Sequence, residues 1–170
     1  ADADAGDGAN ATTDADADVD NKGNRIELLK MVARALGSMS CVGDAVPFLL
    51  EKGIVSTLVN AVKAPMPGDA SSASVLSNAE AAQTVIDVIG NLALGDPGED
   101  DDGDEGRLDP IISEGAIEVI ASAFREHSFD VAVLTCGLDA LCNMEGDMDA
   151  YDAMIEEGIV EACVDIVNCF

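Results

Sequence analysis

Apolar and polar residues recur in the same order at three places in the chain. The three segments match without gaps when they are aligned on a shared glycine: LLEKGIVSTLVNAV (49 to 62), IISEGAIEVIASAF (111 to 124) and MIEEGIVEACVDIV (154 to 167). A hydrophobic pattern that recurs in a fixed register predicts a repeated structural unit.

Each of these segments predicts two helices separated by the glycine. Asp109 and Asp152 stand where an N-cap is expected for the first, short helix, and Pro110 follows one of them. The glycine ends this helix and lets the chain turn into the second. The second helix carries an apolar stripe at i, i+3, i+4 and i+7, which we expect to be buried in all three copies: Val55, Leu58, Val59 and Val62; Ile117, Ile120, Ala121 and Phe124; Val160, Cys163, Val164 and Val167.

A third helix is predicted from another repeated segment, which occurs as VARALGSMS (32 to 40), VIDVIGNLA (85 to 93) and GLDALCNME (137 to 145). Its first copy belongs to a helix that should start near Arg25 and end before Gly43. The expected apolar face of that helix is Leu29, Val32, Leu36 and Met39. Three-helix units that stack on one another predict an all-α fold, a right-handed α-solenoid of about three units.

The domain organisation follows from composition. Residues 1–24 contain little that can be buried, so we expect a disordered acidic leader before a repeat domain at 25–170. The first unit provides only its third helix and the last unit lacks one, so the solenoid is expected to be truncated at both ends. The predicted parts are a partial repeat at 25–43, a repeat at 45–95 with a loop at 64–77, an acidic loop at 96–107, a repeat at 108–146 and a partial repeat at 151–170.

The chain is strongly acidic. Its 34 Asp and Glu residues and 8 Lys and Arg residues give a formal charge of −26, and 14 of the acids lie in the segments 1–20 and 96–106. This charge argues against a nucleic-acid partner, because phosphates would be repelled. We expect a protein or peptide partner instead, and a basic one is favoured.

No apolar run is long enough to span a membrane, and the first residues lack the order of a signal peptide. The five cysteines mostly lie within apolar helical patterns, so we expect them to be reduced and buried. This favours a reducing compartment, the cytoplasm, with the nucleus and the cilium left open.

Catalytic and metal-binding interpretations find little support in the sequence. The acidic segments at 14–24 and 99–109 do not fit the ligand positions of an EF-hand, and the cysteines do not form a C-x-x-C motif. His127 is the only histidine, and we expect it to interact with a helix end. We therefore predict a non-enzyme without a cofactor or a metal site.

The repeated segments resemble the armadillo repeat. The resemblance depends on the shared glycine, on the apolar stripe that follows it and on the asparagines Asn91 and Asn143. Segment 115–144, which includes Arg125 and His127, is most similar to the longer version of that repeat. The resemblance covers residues 25–170. It implies a scaffold whose third helices line a groove, where an asparagine ladder binds the backbone of an extended peptide.

Carried over by position, the ladder comprises Asn91 and Asn143, with Ser38 at the matching place in the first unit. An Asn amide offers a donor and an acceptor, so it can bind a peptide group whatever the side chain. The alternative is that both asparagines bridge helices within the stack.

Armadillo proteins that import basic cargo carry tryptophans four residues before each asparagine, and Arg34, Asp87 and Asp139 stand at those places here. The two carboxylates would favour Lys or Arg in a partner. We therefore expect a non-enzymatic protein-interaction scaffold that binds an extended, preferentially basic segment. The alternative is a structural subunit that docks through its ends and outer faces with other subunits or with further repeats of a longer chain.

Overall fold

Helices make up most of the chain that the computed structural model describes, which comprises residues 13–65, 74–94 and 106–169, with side chains from 23 to 168. No β-strand occurs within these ranges, and the all-α class is confirmed. Short 3-10 turns lie at Gly43–Ala45 and Val75–Ser77. The helices are α1 (Thr13–Ser40), α2 (Val46–Glu51), α3 (Ile54–Lys63), α4 (Ala79–Leu94), α5 (Leu108–Ser113), α6 (Ala116–Glu126), α7 (Val131–Cys142), α8 (Met148–Glu156) and α9 (Ile159–Cys169).

The three shared glycines turn the chain between a short helix and a longer one, as the sequence predicts. Their φ angles are 67° at Gly53, 84° at Gly115 and 73° at Gly158, all in the left-handed region. This conformation is costly for residues that carry a Cβ, which explains the glycine. The helices α3, α6 and α9 begin at the next residue in each case.

Helices at equivalent places in the repeat pack against one another. Helix α4 makes extensive contacts with α1 on one side and with α7 on the other. Likewise, α6 packs against both α3 and α9, and α5 packs against α8. The hydrophobic core runs between these sets, and α4 is its most buried helix.

The predicted apolar stripe is buried in two of its three copies. Every stripe residue of α3 and α6 is at most 4% exposed. The prediction is wrong for α9, in which Val160, Val164 and Val167 are 56%, 55% and 75% exposed. The reason is that α9 packs against α6 and α8, whereas α3 and α6 also contact a third helix, α4 and α7 respectively.

Helix α1 differs from the prediction in its start and in its buried face. It begins at Thr13, so the expected disordered leader is wrong for 13–24, while residues 1–12 lie outside the described ranges. Alanine-rich sequence favours helix, and acids near a helix N-terminus are stabilised by its dipole. Val32 and Met39 are exposed, and Ala33 is fully buried in their place, because a small residue lets α1 approach α4 closely.

The short helices also begin earlier than predicted. Helix α8 has Asp147 as its N-cap, whose carboxylate accepts bonds from two backbone N–H groups, and Asp152 lies inside the helix. Asp109 lies in the first turn of α5. The last unit therefore begins before residue 151, because a capping carboxylate one turn earlier starts the helix.

Both predicted loops lie largely outside the described residues. In the 64–77 loop, residues 66–73 are not described. The loop nevertheless ends in the turn Val75–Ser77, in which Val75 and Leu76 are buried. The acidic loop at 96–107 is described only from residue 106.

No single helix in the described ranges is long and apolar enough to cross a membrane. The segments Gly43–Glu51 and Ile54–Lys63 meet that test only when they are taken together, and they are bent by 66° where they join.

Candidate functional site

A polar stripe runs along one face of α4. Glu80, Thr84, Asp87 and Asn91 follow one another at intervals of three or four residues, so they lie on the same side of the helix. All four are exposed or half-buried, whereas the opposite side of α4 is buried in the core. The stripe therefore presents hydrogen-bonding groups on a helix whose other residues, apart from Gln83, are apolar.

This stripe forms one wall of a groove between α1 and α4 with a volume of about 340 Å³. The groove brings together three of the residues that the sequence singled out, Ser38, Asp87 and Asn91. Arg34 also lines it. The other lining residues are Ala33, Gly37, Cys41, Thr84 and Val88.

The hydrogen bonds in the groove leave the Asn91 amide available. The Ser38 hydroxyl donates to the carbonyl oxygen of Arg34 within its own helix, at 3.0 Å. In the part of the chain that the structure describes, the Asn91 side chain makes no hydrogen bond. Its Nδ2 lies 4.0 Å from the point where a Cβ at position 37 would stand, so Gly37 leaves space beside the amide. Asn91 can therefore offer both its donor and its acceptor to a ligand.

Asn143 is placed differently. Helices α4 and α7 approach closely at Gly90, where an added Cβ would lie 3.2 Å from the Cβ of Ala140. This approach lets Asn143 Nδ2 donate to the carbonyl oxygen of Gly90 at 3.0 Å. Asn143 thus bridges two helices, which is the alternative role that its sequence position suggested.

The carboxylates lie on neighbouring helices. Asp87 Oδ1 accepts a hydrogen bond from the thiol of Cys136 on α7 at 2.7 Å. Burial, and then this bond and the charges of Asp87 and Asp139, raise the pKa of the Cys136 thiol far above its ordinary value. Cys136 therefore stays protonated and donates to Asp87. Asp139 is exposed on α7 and does not line the α1–α4 groove.

The Glu80 end of the polar stripe carries an ion-pair network that links α1 to α4. Glu80 pairs with Lys30 at 2.5 Å and with Arg34 at 2.8 Å, and Lys30 also pairs with Glu27 at 2.7 Å. The hydrogen bonds to Glu27 and Glu80 raise the pKa of Lys30. The hydrogen bond from Lys30, opposed by desolvation, lowers the pKa of Glu80. This network joins the two helices at one end of the groove.

Arg34 and Thr84 are groove residues that the sequence reasoning did not select as site residues. The sequence could have indicated Thr84, because it lies three residues before Asp87 and therefore on the same face of the helix. Arg34 stands where armadillo proteins that import basic cargo have a tryptophan. Arg34 lies one helical turn before Ser38, which the repeat register aligns with Asn91, so the sequence was sufficient to select Arg34 as a groove residue.

The other reactive side chains have structural surroundings. His127 follows α6, and its Nε2 donates to the carbonyl oxygen of Leu76 at 2.8 Å, which ties the ring to the turn before α4. Among the described residues no group of three or more His, Cys, Asp or Glu side chains is arranged to hold a metal ion.

The cysteines are less buried than predicted. Cys41, Cys136, Cys142 and Cys163 are all free thiols, but only Cys136 is buried. Cys41 follows the end of α1, and Cys142 is exposed on α7. In the repeat register Cys142 matches Gly90, which α7 covers, whereas no described helix covers Cys142 in the same way.

Comparisons of the chain with protein-family models, with curated proteins and with solved structures give no match.

Proposed function

We propose that this protein is a non-enzymatic protein-interaction scaffold built as a right-handed solenoid of armadillo-type units. The packing of equivalent helices supports the stacking: α4 lies against both α1 and α7, and α6 lies against both α3 and α9. Stacked units bury a continuous core while each unit contacts only its neighbours.

A repeated contact between units also supports the solenoid. Lys63, near the end of α3, forms an ion pair with Glu118 in the next unit. Arg125 holds the same repeat position near the end of α6, and it donates to the carbonyl oxygen of Glu157 in the unit after that, at 2.7 Å. One position in the repeat thus ties each unit to its successor.

The proposed ligand is an extended, basic segment that lies in the groove between α1 and α4. The observation that carries this proposal is the free amide of Asn91 beside the carboxylate of Asp87 in one open groove. The amide suits a peptide group of an extended backbone, and the carboxylate suits a Lys or Arg side chain of the same segment. Asp139 extends the negative charge along the next helix.

The proposal can be tested with two fluorescent peptides of about ten residues, one alternating Lys with Ala and the other alternating Glu with Ala. Binding is measured by fluorescence anisotropy at two salt concentrations. We expect saturable binding of the Lys peptide alone, weakened about tenfold by Asn91→Ala and by Asp87→Asn. The matched controls are Asn60→Ala and Asp152→Asn, at two exposed residues outside the groove. Neither control should change the affinity for the Lys peptide.

Equal affinity for the wild type and for both groove variants would contradict the proposal. Such a result would mean that the peptide responds only to net charge. Circular dichroism of each variant separates a loss of binding from a loss of folding.

The second candidate function is a structural subunit that docks through its ends and outer faces. The specific observation in its favour is the exposed apolar stripe of α9. The double variant Asn91→Ala and Asn143→Ala separates the two functions. Retained capture of a physiological partner by the folded double variant would favour docking outside the groove.

A further inference from the structure

The two walls of the α1–α4 groove carry opposite charges. Arg34 on α1 and Asp87 on α4 both line the groove. They occupy the same position of the repeated third-helix segment, four residues before Ser38 and Asn91 respectively. Both charged side chains are exposed. A segment that lies in the groove is therefore flanked by a positive group and a negative group at equivalent positions of the two helices.

Arg34 and Asp87 do not neutralise each other. Within the described ranges, Arg34 forms its ion pair with Glu80, and Asp87 accepts a hydrogen bond from the thiol of Cys136. Neither residue forms an ion pair with the other there. A ligand that presents an anion to one wall and a cation to the other can therefore pair with both residues.

Arg34 keeps hydrogen-bond donors for such a ligand. Its Nη2 donates to Glu80 at 2.8 Å, and the same Glu80 carboxylate also binds Lys30. A guanidinium group has five N–H donors, and the Arg34 side chain is 60% exposed. The pair with Glu80 thus leaves most of these donors open to a carboxylate of a ligand.

The order of charges continues onto α7. Helix α4 packs between α1 and α7, and Asp139 on α7 holds the repeat position of Arg34 and Asp87. Asp139 is exposed, and so is Asp87, although α4 has a third helix of another unit on either side. Equivalent positions of α1, α4 and α7 therefore carry a positive, a negative and a negative charge, in that order.

We propose that the segment bound in the groove carries an acidic residue at the end that lies on α1, and basic residues beyond it. The acidic side chain pairs with Arg34, and the first basic side chain pairs with Asp87. This inference rests on the proposed function, because it specifies the segment that the groove binds.

The spacing of an extended chain fits this arrangement. Side chains on one face of such a chain recur at every second residue, about 7 Å apart. The axes of packed helices are about 8–10 Å apart, and the long side chain of Arg34 can span the difference. The acidic residue and the first basic residue are therefore separated by one residue.

Net charge alone predicts the opposite preference. The chain has a formal charge of −26, so general attraction favours the most basic peptide. An acidic residue can improve binding only through a local contact with a positive group. Arg34 is the basic residue among those that line the groove.

The test uses the alternating Lys and Ala peptide described above and two derivatives, in which Glu replaces either the first or the last Lys. The two derivatives cover both directions of the bound chain. Fluorescence anisotropy gives the affinity of each peptide for the wild type, for Arg34→Gln and for Lys52→Gln. For one derivative, we expect its affinity relative to the Lys peptide to fall about threefold in Arg34→Gln, the effect of one exposed ion pair.

Lys52→Gln is the matched control, because it removes the same charge and an exposed ion pair with Glu51 outside the groove. It should leave the relative affinities unchanged. Arg34→Lys keeps the charge, so its relative affinities should stay closer to those of the wild type than to those of Arg34→Gln. Circular dichroism of each variant confirms that it is folded.

The possible results separate this inference from the proposed function. If the Lys peptide binds but neither derivative responds to Arg34→Gln, the inference is overturned and the groove remains a site for basic segments. An equal fall in Lys52→Gln would also overturn it, since net charge would then account for the preference. If none of the three peptides binds, both proposals fail.

Discussion

Helices α3 and α9 carry the same valines at the same repeat positions, and only those of α3 belong to the core. Val62 is completely buried, whereas Val167 is 75% exposed. Both helices are amphipathic, so the difference in burial arises from the neighbours, because α4 packs on α3 and no described helix takes that place on α9. A repeated sequence thus specifies a surface that can be buried, and stacking decides whether it is.

The largest effect expected from this comparison is on core valines. Val62→Ala should lower the free energy of unfolding by about 2 kcal/mol, because it removes two buried methyl groups and leaves a cavity. Val167→Ala at the equivalent position should change it by less than about 0.5 kcal/mol. Urea denaturation of both variants measures the difference, and equal losses would mean that α9 is covered.

Glycines at equivalent positions sharpen the same comparison. A Cβ at Gly90 would lie 3.3 Å from the Cα of Ala140, whereas one at Gly37 would meet Val88 Cγ2 at an ordinary 3.5 Å. Alanine favours helix over glycine at either site, but at Gly90 the packed backbone of α7 must move. We expect Gly90→Ala to be less stable than Gly37→Ala by about 1–2 kcal/mol in thermal unfolding. Equal stabilities would show that α4 and α7 are loosely packed.

The losses of stability on substituting the two asparagines should differ by somewhat less. Asn143→Ala removes the bond to the carbonyl oxygen of Gly90, which should cost about 1 kcal/mol of stability. Asn91→Ala removes no hydrogen bond within the described residues, so the cost should stay below about 0.5 kcal/mol. Chemical denaturation of both variants measures the two costs. A larger loss for Asn91 would mean that it, too, has a structural role.

The smallest expected effect is the pH dependence of the α1–α4 contact, since Glu80 is partly exposed and its pairs are screened by solvent. The lowered pKa of Glu80 means that its stabilising contribution is present above its ordinary pKa of 4.5 and is lost as the pH falls through the lowered value. The raised pKa of Lys30 means that its contribution is present below 10.5 and is lost as the pH rises through the raised value.

Glu80→Gln should therefore flatten the acid side of a plot of Tm against pH. Glu114→Gln, at the exposed residue that follows α5, is the control. A plot unchanged by Glu80→Gln would contradict a contribution from this ion pair. The α4–α7 contact has Ala132 at the position that corresponds to Glu80, so it lacks this pH dependence.

Much of the fold could be predicted because its signals are local. A glycine that ends one helix and an apolar stripe that begins the next lie within one short segment, and Gly115 with the stripe of α6 is the clearest example. The predictions that are wrong concern burial that depends on a neighbouring helix. Val32 is exposed and Ala33 buried because α4 fixes the rotation of α1, and a pattern along one helix carries no record of that neighbour.

The candidate site was predictable to a similar extent. The repeat register selected Ser38, Asp87 and Asn91, which line one groove. The same register could not distinguish Asn91 from Asn143, because the bond to Gly90 depends on how closely α4 and α7 approach. It also could not reveal that the thiol of Cys136 donates to Asp87 from the next helix.

Native-state hydrogen exchange, read by mass spectrometry for each helix, tests the central claim most directly. The claim is that one repeated unit is stacked along the chain and that, among the described helices, α3 and α6 each contact a third helix whereas α9 contacts mainly α6 and α8. The account predicts that amides of α3 and α6 exchange only on global unfolding, while those of α9 exchange through a separate opening of lower free energy. Equal protection of α6 and α9 would contradict it.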